Sequence, residues 1–258
     1  MFNTQTNVIS SVPDFNIILK VLSDYSKGKP LQEIRDGMIN GNLYGIRTKG
    51  SRIRFFTAIN STFLQFKTKD HKELLTAIFE SSLKNDSKTF LGYIQMGVNN
   101  ELFHILTTDV LFKLQMQGRL TIDKSVFVSY IKNLRSDDSN NITWSDETIG
   151  TISYKYLTLM KKLGFLSGVK KKEFRNFVPT NEMIVLTIYL IESLGSNYPI
   201  FLHNPLSKLF MMSENALIAR LRIISMQEYF TISAIGKDLK IELKYDYKEI
   251  GDVIRKNN

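Results

Sequence analysis

The sequence predicts a mainly α protein: a helical bundle with helix-turn-helix and winged-helix elements, and small β-hairpins in its C-terminal part. Three observations carry this. Apolar residues recur at i, i+3 and i+4 through most of the chain, the mark of helices with one buried face. Ser, Thr, Asn and Asp stand just before many of those runs, where their oxygens can cap free N–H groups. Period-two alternation comes late, in Tyr229–Ala234 and Leu239–Tyr245, around the turn Ile235-Gly236-Lys237-Asp238.

The elements follow in order. A helix beginning at Asp14 carries Phe15, Ile18, Leu19 and Leu22 and ends near Lys27-Gly28. Pro30 starts the next, with Leu31, Ile34 and Met38 inside. A glycine-rich turn, Gly41 to Gly45, leads into a helix from about Ser51 to Phe66. Asp70–Leu83, Ser87–Val98 and Asn100–Met116 continue the helical spacing. Thr121–Asp123 opens another helix, with Val126, Phe127, Tyr130 and Leu134 inward. Ser136–Asn141 is polar and turn-prone, so a boundary is expected there. It divides an N-terminal helical domain, 1–138, from a C-terminal winged-helix-like domain, 139–258.

Ser145 caps the helix that runs to about Leu163, and Asp146 and Glu147 complement its dipole. Trp144 and the stripe Ile149, Ile152, Tyr156 and Leu159 read as core. Phe165–Leu166 and Phe174–Val178 can form a hairpin around Lys170, Lys171 and Lys172. Thr180–Ser193 is a further helix, and Pro199 and Pro205 bracket an extended piece. Pro205–Met211, a longer helix capped by Ser213, the late hairpin and a helical Lys248–Ile254 complete the chain.

The chain has 258 residues, 43% of them hydrophobic, enough to fill a core. Its net charge of +9 favours an anionic partner. The absence of Cys excludes disulfides, thiolate zinc sites and cysteine nucleophiles, and fits a reducing cytoplasm. No signal peptide is visible, and the apolar run Met183–Ile191 is far short of the ~20 residues that span a bilayer. A cytoplasmic protein without a membrane partner is expected.

Gly37–Lys69 stands out. It holds no Asp or Glu, yet carries Arg47, Lys49, Arg52, Arg54, Lys67 and Lys69. Helix, turn and basic helix is a common way to offer a helix to DNA. At about 100° per residue, Ile53, Phe56, Ile59, Phe63 and Leu64 share an apolar face, with Ser51, Arg54, Ala58, Ser61 and Gln65 opposite. Thr48 and Ser51 are cap candidates, so a positive helix end would sit among cations. Arg52 projects to the apolar side and can pair with Asp36 or Glu33. The candidate nucleic-acid set is Arg47, Thr48, Lys49, Ser51, Arg52 and Arg54, joined by Lys155, Lys162, Lys170, Lys171 and Lys172 of the expected C-terminal domain. A solvated basic face fits the same spacing.

The motifs resemble a known family. Asn42-Leu43-Tyr44-Gly45-Ile46-Arg47-Thr48, with Ser51-Arg52-Ile53-Arg54, is similar to a region of the BrxA family of BREX phage-defence systems. Trp144-Ser145-x-x-Thr148 and Leu163-Gly164-Phe165-Leu166 follow in the family's order. The likeness covers about residues 14–168, and its matched basic set is Arg47, Arg52 and Arg54. Where the family has a further Arg, this chain continues Phe55-Phe56. The resemblance implies a small non-enzymatic helical protein with helix-turn-helix elements, similar to transcription antitermination factors of the NusB type. It further implies binding to double-stranded DNA, beside a methyltransferase and other BREX proteins.

Catalytic signals are lacking. His71, His104 and His203 are scattered without a metal-ligand partner at helical spacing, and Asp137-Asp138 lies in a linker. There is no phosphate-cradling loop and no nucleophile elbow. No cofactor and no small-molecule substrate are expected. Three readings stay open: a DNA-binding module of a defence complex, a protein–protein scaffold, and an RNA binder of antitermination-factor type.

Overall fold

The computed structural model describes residues 5–11, 14–195, 201–235 and 238–257. The expected extended piece opening at Pro199 and the turn residues Gly236 and Lys237 lie outside them. The helices are α1 (Asn7–Ser11), α2 (Phe15–Ser26), α3 (Leu31–Ile39), α4 (Lys49–Thr62), α5 (Lys69–Glu80), α6 (Asn85–Asn99), α7 (Glu101–Ile105), α8 (Phe112–Met116), α9 (Lys124–Ser136), α10 (Asp146–Lys162), α11 (Asn181–Ser193), α12 (Glu214–Ser225) and α13 (Ile250–Asn257). The strands are β1 (Thr121–Ile122), β2 (Leu166–Ser167), β3 (Lys172–Phe174), β4 (Phe230–Ile235) and β5 (Asp238–Leu243). The fold is mainly α, with small antiparallel sheets.

The chain alternates between two compact units. The first comprises Met1–Ile17, Arg35–Leu64 and Gln95–Phe177; the second comprises Ile18–Ile34, Gln65–Ile94 and Val178–Asn258. This interleaving differs from the expected division after residue 138, because Ser136–Asn141 runs inside the first unit. The linker is a local turn between α9 and α10, ordered by Asp137, which accepts the Ser139 N–H at 3.0 Å.

In the first unit, α9 packs on α10, and α1 touches both α4 and α10. Phe103, Phe127 and Tyr156 are fully buried together, the Phe127 and Tyr156 rings 4.9 Å apart. Between α7 and α8 the helix widens into a π turn, Leu106–Leu111, where the Phe112 N–H reaches back to Thr107 O. The turn presents Thr107 to Tyr156, whose hydroxyl lies 2.9 Å from Thr107 Oγ1. Thr107 donates to Phe103 O at 2.7 Å, so Tyr156 is the donor in that pair. Thr121–Ile122, expected as a helix start, is instead a strand, and Asp123 caps the helix that follows. The strand forms because β3 lies alongside it: the sheet order is β1-β3-β2. Val126, expected inside, is 37% exposed, while Phe127 and Ile131 carry the buried face of α9.

In the second unit, α11 is apolar on nearly all sides because it is covered on nearly all sides, α5 and α12 among its neighbours. Among the described residues, no helix is long and apolar enough to cross a membrane. The β4–β5 hairpin packs on α12. Tyr189 on α11 is fully buried; its hydroxyl donates to Tyr229 O at 2.7 Å and accepts the Tyr245 N–H at 3.2 Å.

Burial pushes the Tyr189 hydroxyl up from 10.0 to about 12. Between those values the unfolded chain has released a proton that the folded chain keeps. Tyr189 therefore contributes stability that is present below pH about 10 and lost as pH rises through about 12. The urea midpoint of the native protein is expected to fall more steeply over that interval than that of Tyr189→Phe. Parallel curves would show that the Tyr189 proton is not coupled to folding.

Candidate nucleic-acid interface

The turn into α4 is built locally. The Asn40 and Gly41 N–H groups return to Asp36 O at 2.9 and 3.1 Å, and the Leu43 N–H to Gly37 O at 2.9 Å. The Leu43 side chain lies close over Gly37, where a Cβ would stand 2.8 Å from Leu43 Cδ1 and push that exposed side chain aside. Gly45 has φ +70°, which suits a residue without a side chain. Thr48 then caps α4: its Oγ1 accepts the Ser51 N–H at 3.2 Å and donates to Ser51 Oγ at 2.9 Å. Arg54 reaches back so that Nη2 donates to Ser51 Oγ at 3.3 Å.

Arg47, Thr48, Lys49 and Arg54 are exposed, and Ser51 is half-buried beside them. No acidic residue stands in the first turn of α4. These side chains thus surround the positive end of a helix with cations, an arrangement that attracts phosphate. Arg52 is different. It is half-buried, and its Nη1 donates to Ile39 O at 2.9 Å, tying the end of α3 to α4.

The outward face of α4 also differs from the expected one. Ala58, expected outside, is fully buried, and Ile53, expected inside, is 45% exposed. The cause is Phe55-Phe56. Both rings are buried, which turns the inner face toward Phe55, Ala58 and Thr62 and swings Ile53 out.

The second cationic group lies on α10 and the β2–β3 turn. Ser145 caps α10, accepting the Thr148 N–H at 3.2 Å. Asp146 pairs with Lys132 at 2.6 Å and Arg135 at 2.8 Å from α9, which hold its carboxyl below the usual carboxylate range. Trp144, expected in the core, is half-buried; its carbonyl accepts from Arg135 Nη1 at 2.8 Å, and Ile142 is the buried residue before the helix.

Lys170 and Lys171 are exposed at the hairpin turn, and Lys162 is exposed at the end of α10. Lys155 is half-buried with its ammonium on Ser10 O of α1. Lys172 is buried: its Nζ donates to Gly168 O at 3.2 Å and Val169 O at 2.6 Å, closing the turn. Burial, with the nearby Lys161 charge, lowers its proton affinity. Lys172 thus serves the hairpin itself. The sequence reading missed Tyr154, 60% exposed on α10, and Val169, 80% exposed at the turn. The spacing of Thr151, Tyr154 and Lys161 was the signal, obscured because Tyr counts as apolar in a helical pattern.

His71 is buried, its Nδ1 accepting the Lys67 N–H at 3.1 Å. Among the described residues, no three His, Cys, Asp or Glu side chains cluster as metal ligands would.

Fold and surface together describe a mainly helical protein with exposed cations at a capped helix start and at a small hairpin turn. Residues 12–186 match the BrxA family. The chain belongs to that family and is accordingly a component of a BREX phage-defence system. No curated protein and no solved structure matches it.

Proposed function

We propose that this chain is a non-enzymatic, cytoplasmic, double-stranded-DNA-binding component of its BREX system, acting beside other BREX proteins, a methyltransferase among them. One observation carries the reading: β1, α9, α10, β2 and β3 follow one another with sheet order β1-β3-β2, the order of a winged helix. In that arrangement α10 presents Thr151, Tyr154 and Lys162 outward, and the wing tip carries Lys170 and Lys171. The cations around the start of α4 add a second phosphate-holding surface to the same unit. The absence of cysteine, nucleotide loop and nucleophile elbow from the sequence supports the non-enzymatic part.

A scaffold role is favoured at one place. Ile223 on α12, 56% exposed, and Met226 just after its end, 81% exposed, are apolar groups that suit a protein and not a phosphate backbone.

A mobility-shift series on two unrelated duplexes tests the DNA reading. Affinity is expected to fall linearly with log salt, with similar slopes for both duplexes, and RNA competitor should displace neither. No shift at low salt, or ready displacement by RNA, would overturn it.

A further inference from the structure

Most polar side chains in the first turns of α10 are engaged within the protein. Ser145 Oγ caps the helix and lies 3.0 Å from Thr148 Oγ1. Asp146 pairs with Lys132 and Arg135 of α9. Ser153 Oγ donates to Ile149 O at 2.9 Å, the Lys155 ammonium to Ser10 O, and Thr158 Oγ1 to Tyr154 O at 2.9 Å. The Tyr156 hydroxyl is held by Thr107. Glu147, Thr151 and Tyr154 remain. All three are exposed, and among the described residues their side chains make no hydrogen bond or ion pair. They stand four and three residues apart, so they form one stripe on the outward side of the helix.

Cations frame this stripe. Lys124 of α9 lies beside it, its Nζ 4.0 Å from where a Cβ on Gly150 would stand. Lys161 and Lys162 are exposed at the far end of α10, and Lys170 and Lys171 at the wing tip. Such a layout separates groups that hold phosphates from groups that read bases. Glu147 is the telling member. Asp146, one residue earlier, already complements the helix dipole in the first turn. An outward carboxylate at the front of a phosphate-holding helix repels the backbone, and a donor on a base edge offsets that repulsion. In the major groove cytosine offers its N4 donor alone, whereas adenine sets the N7 acceptor next to its N6 donor. A carboxylate only accepts, so it prefers cytosine. Tyr154, 60% exposed, offers a ring face that suits the methyl of thymine. Thr151 between them is short and lets the helix sit close to the base edges.

We propose that α10 reads sequence: Glu147 accepts the N4–H of a cytosine in the major groove, and Tyr154 packs on the methyl of a nearby thymine. Glu147 and Tyr154 lie two helical turns apart, a rise of about 10 Å, which matches roughly three base-pair steps. The proposal rests on the duplex-DNA reading above and adds a base preference that phosphate contacts do not give.

The test mixes the full chain with duplexes carrying a randomised core, sequences the bound fraction, and repeats this with Glu147→Gln and Tyr154→Ala. Circular dichroism confirms that both variants, changed at exposed positions, are folded. The native chain is expected to enrich one C·G pair with a thymine about three pairs on, and to lose about tenfold in affinity when that cytosine alone is replaced. Glu147→Gln is expected to move the preference at that position from cytosine to adenine, because an amide donates to N7 and accepts from N6. A role confined to the helix dipole would not redirect a base choice. Tyr154→Ala should relax the thymine position. Salt-dependent duplex binding that enriches no base in the native chain overturns the proposal and leaves the DNA reading intact. An enriched site that either folded variant leaves unchanged overturns it too. No duplex binding at low salt sinks both.

Discussion

Replacing Arg47, Lys49 and Arg54 together with Ala is expected to weaken duplex binding by a similar factor on unrelated sequences. It should also flatten the salt dependence by up to about three units, since each phosphate contact contributes ~0.9 to the slope. The three side chains are exposed, so the fold should survive. Arg54 gives up only a 3.3 Å bond to Ser51 Oγ, and the Thr48 cap remains to order the first turn. Arg52 is left in place because its bond to Ile39 O would confuse folding with binding. A folded triple variant with unchanged affinity and slope would show that this helix start is merely a solvated basic face. A matching loss on Lys170 and Lys171 substitution instead would move the interface to the hairpin turn.

Phe127→Ala is expected to cost about 3–5 kcal/mol, because its ring is fully buried against Tyr156 and its loss leaves a cavity there. That is a large share of the ~5–15 kcal/mol a domain has. The ring joins α9 to α10, so the α10 face and hairpin should loosen with it. Val126→Ala, one residue away and 37% exposed, should stay within about 0.5 kcal/mol. Urea denaturation of both variants measures this. A loss below about 1 kcal/mol for Phe127→Ala would mean that α9 and α10 are not packed through this ring. Trp144→Ala, at a residue the sequence reads as core, is expected to cost less than Phe127→Ala, because the indole is only half-buried.

What the sequence by itself determined here is local. Thr48, Thr68, Asp123, Ser145, Thr180 and Ser213 each cap a helix by accepting an N–H two or three residues on, an interaction decided within one turn of chain. The late hairpin was legible for the same reason, its alternation and turn being adjacent. The exposed cations Arg47, Lys49 and Arg54 were legible because they flank a cap and carry no neighbouring acid.

The tertiary structure decided what depends on distant partners. The π turn answers to Tyr156, which meets Thr107 from 49 positions away. Thr121–Ile122 is a strand only because β3 pairs with it. Lys172 belongs to a run of three lysines, yet the fold of the turn carries its ammonium onto Gly168 and Val169 carbonyls and out of solvent. The inner face of α4 was set by burying both Phe55 and Phe56, a demand that helical period alone could not rank against Ile53. The interleaving of the two units is likewise invisible to composition, because it arises where helices pack and not where the chain turns polar.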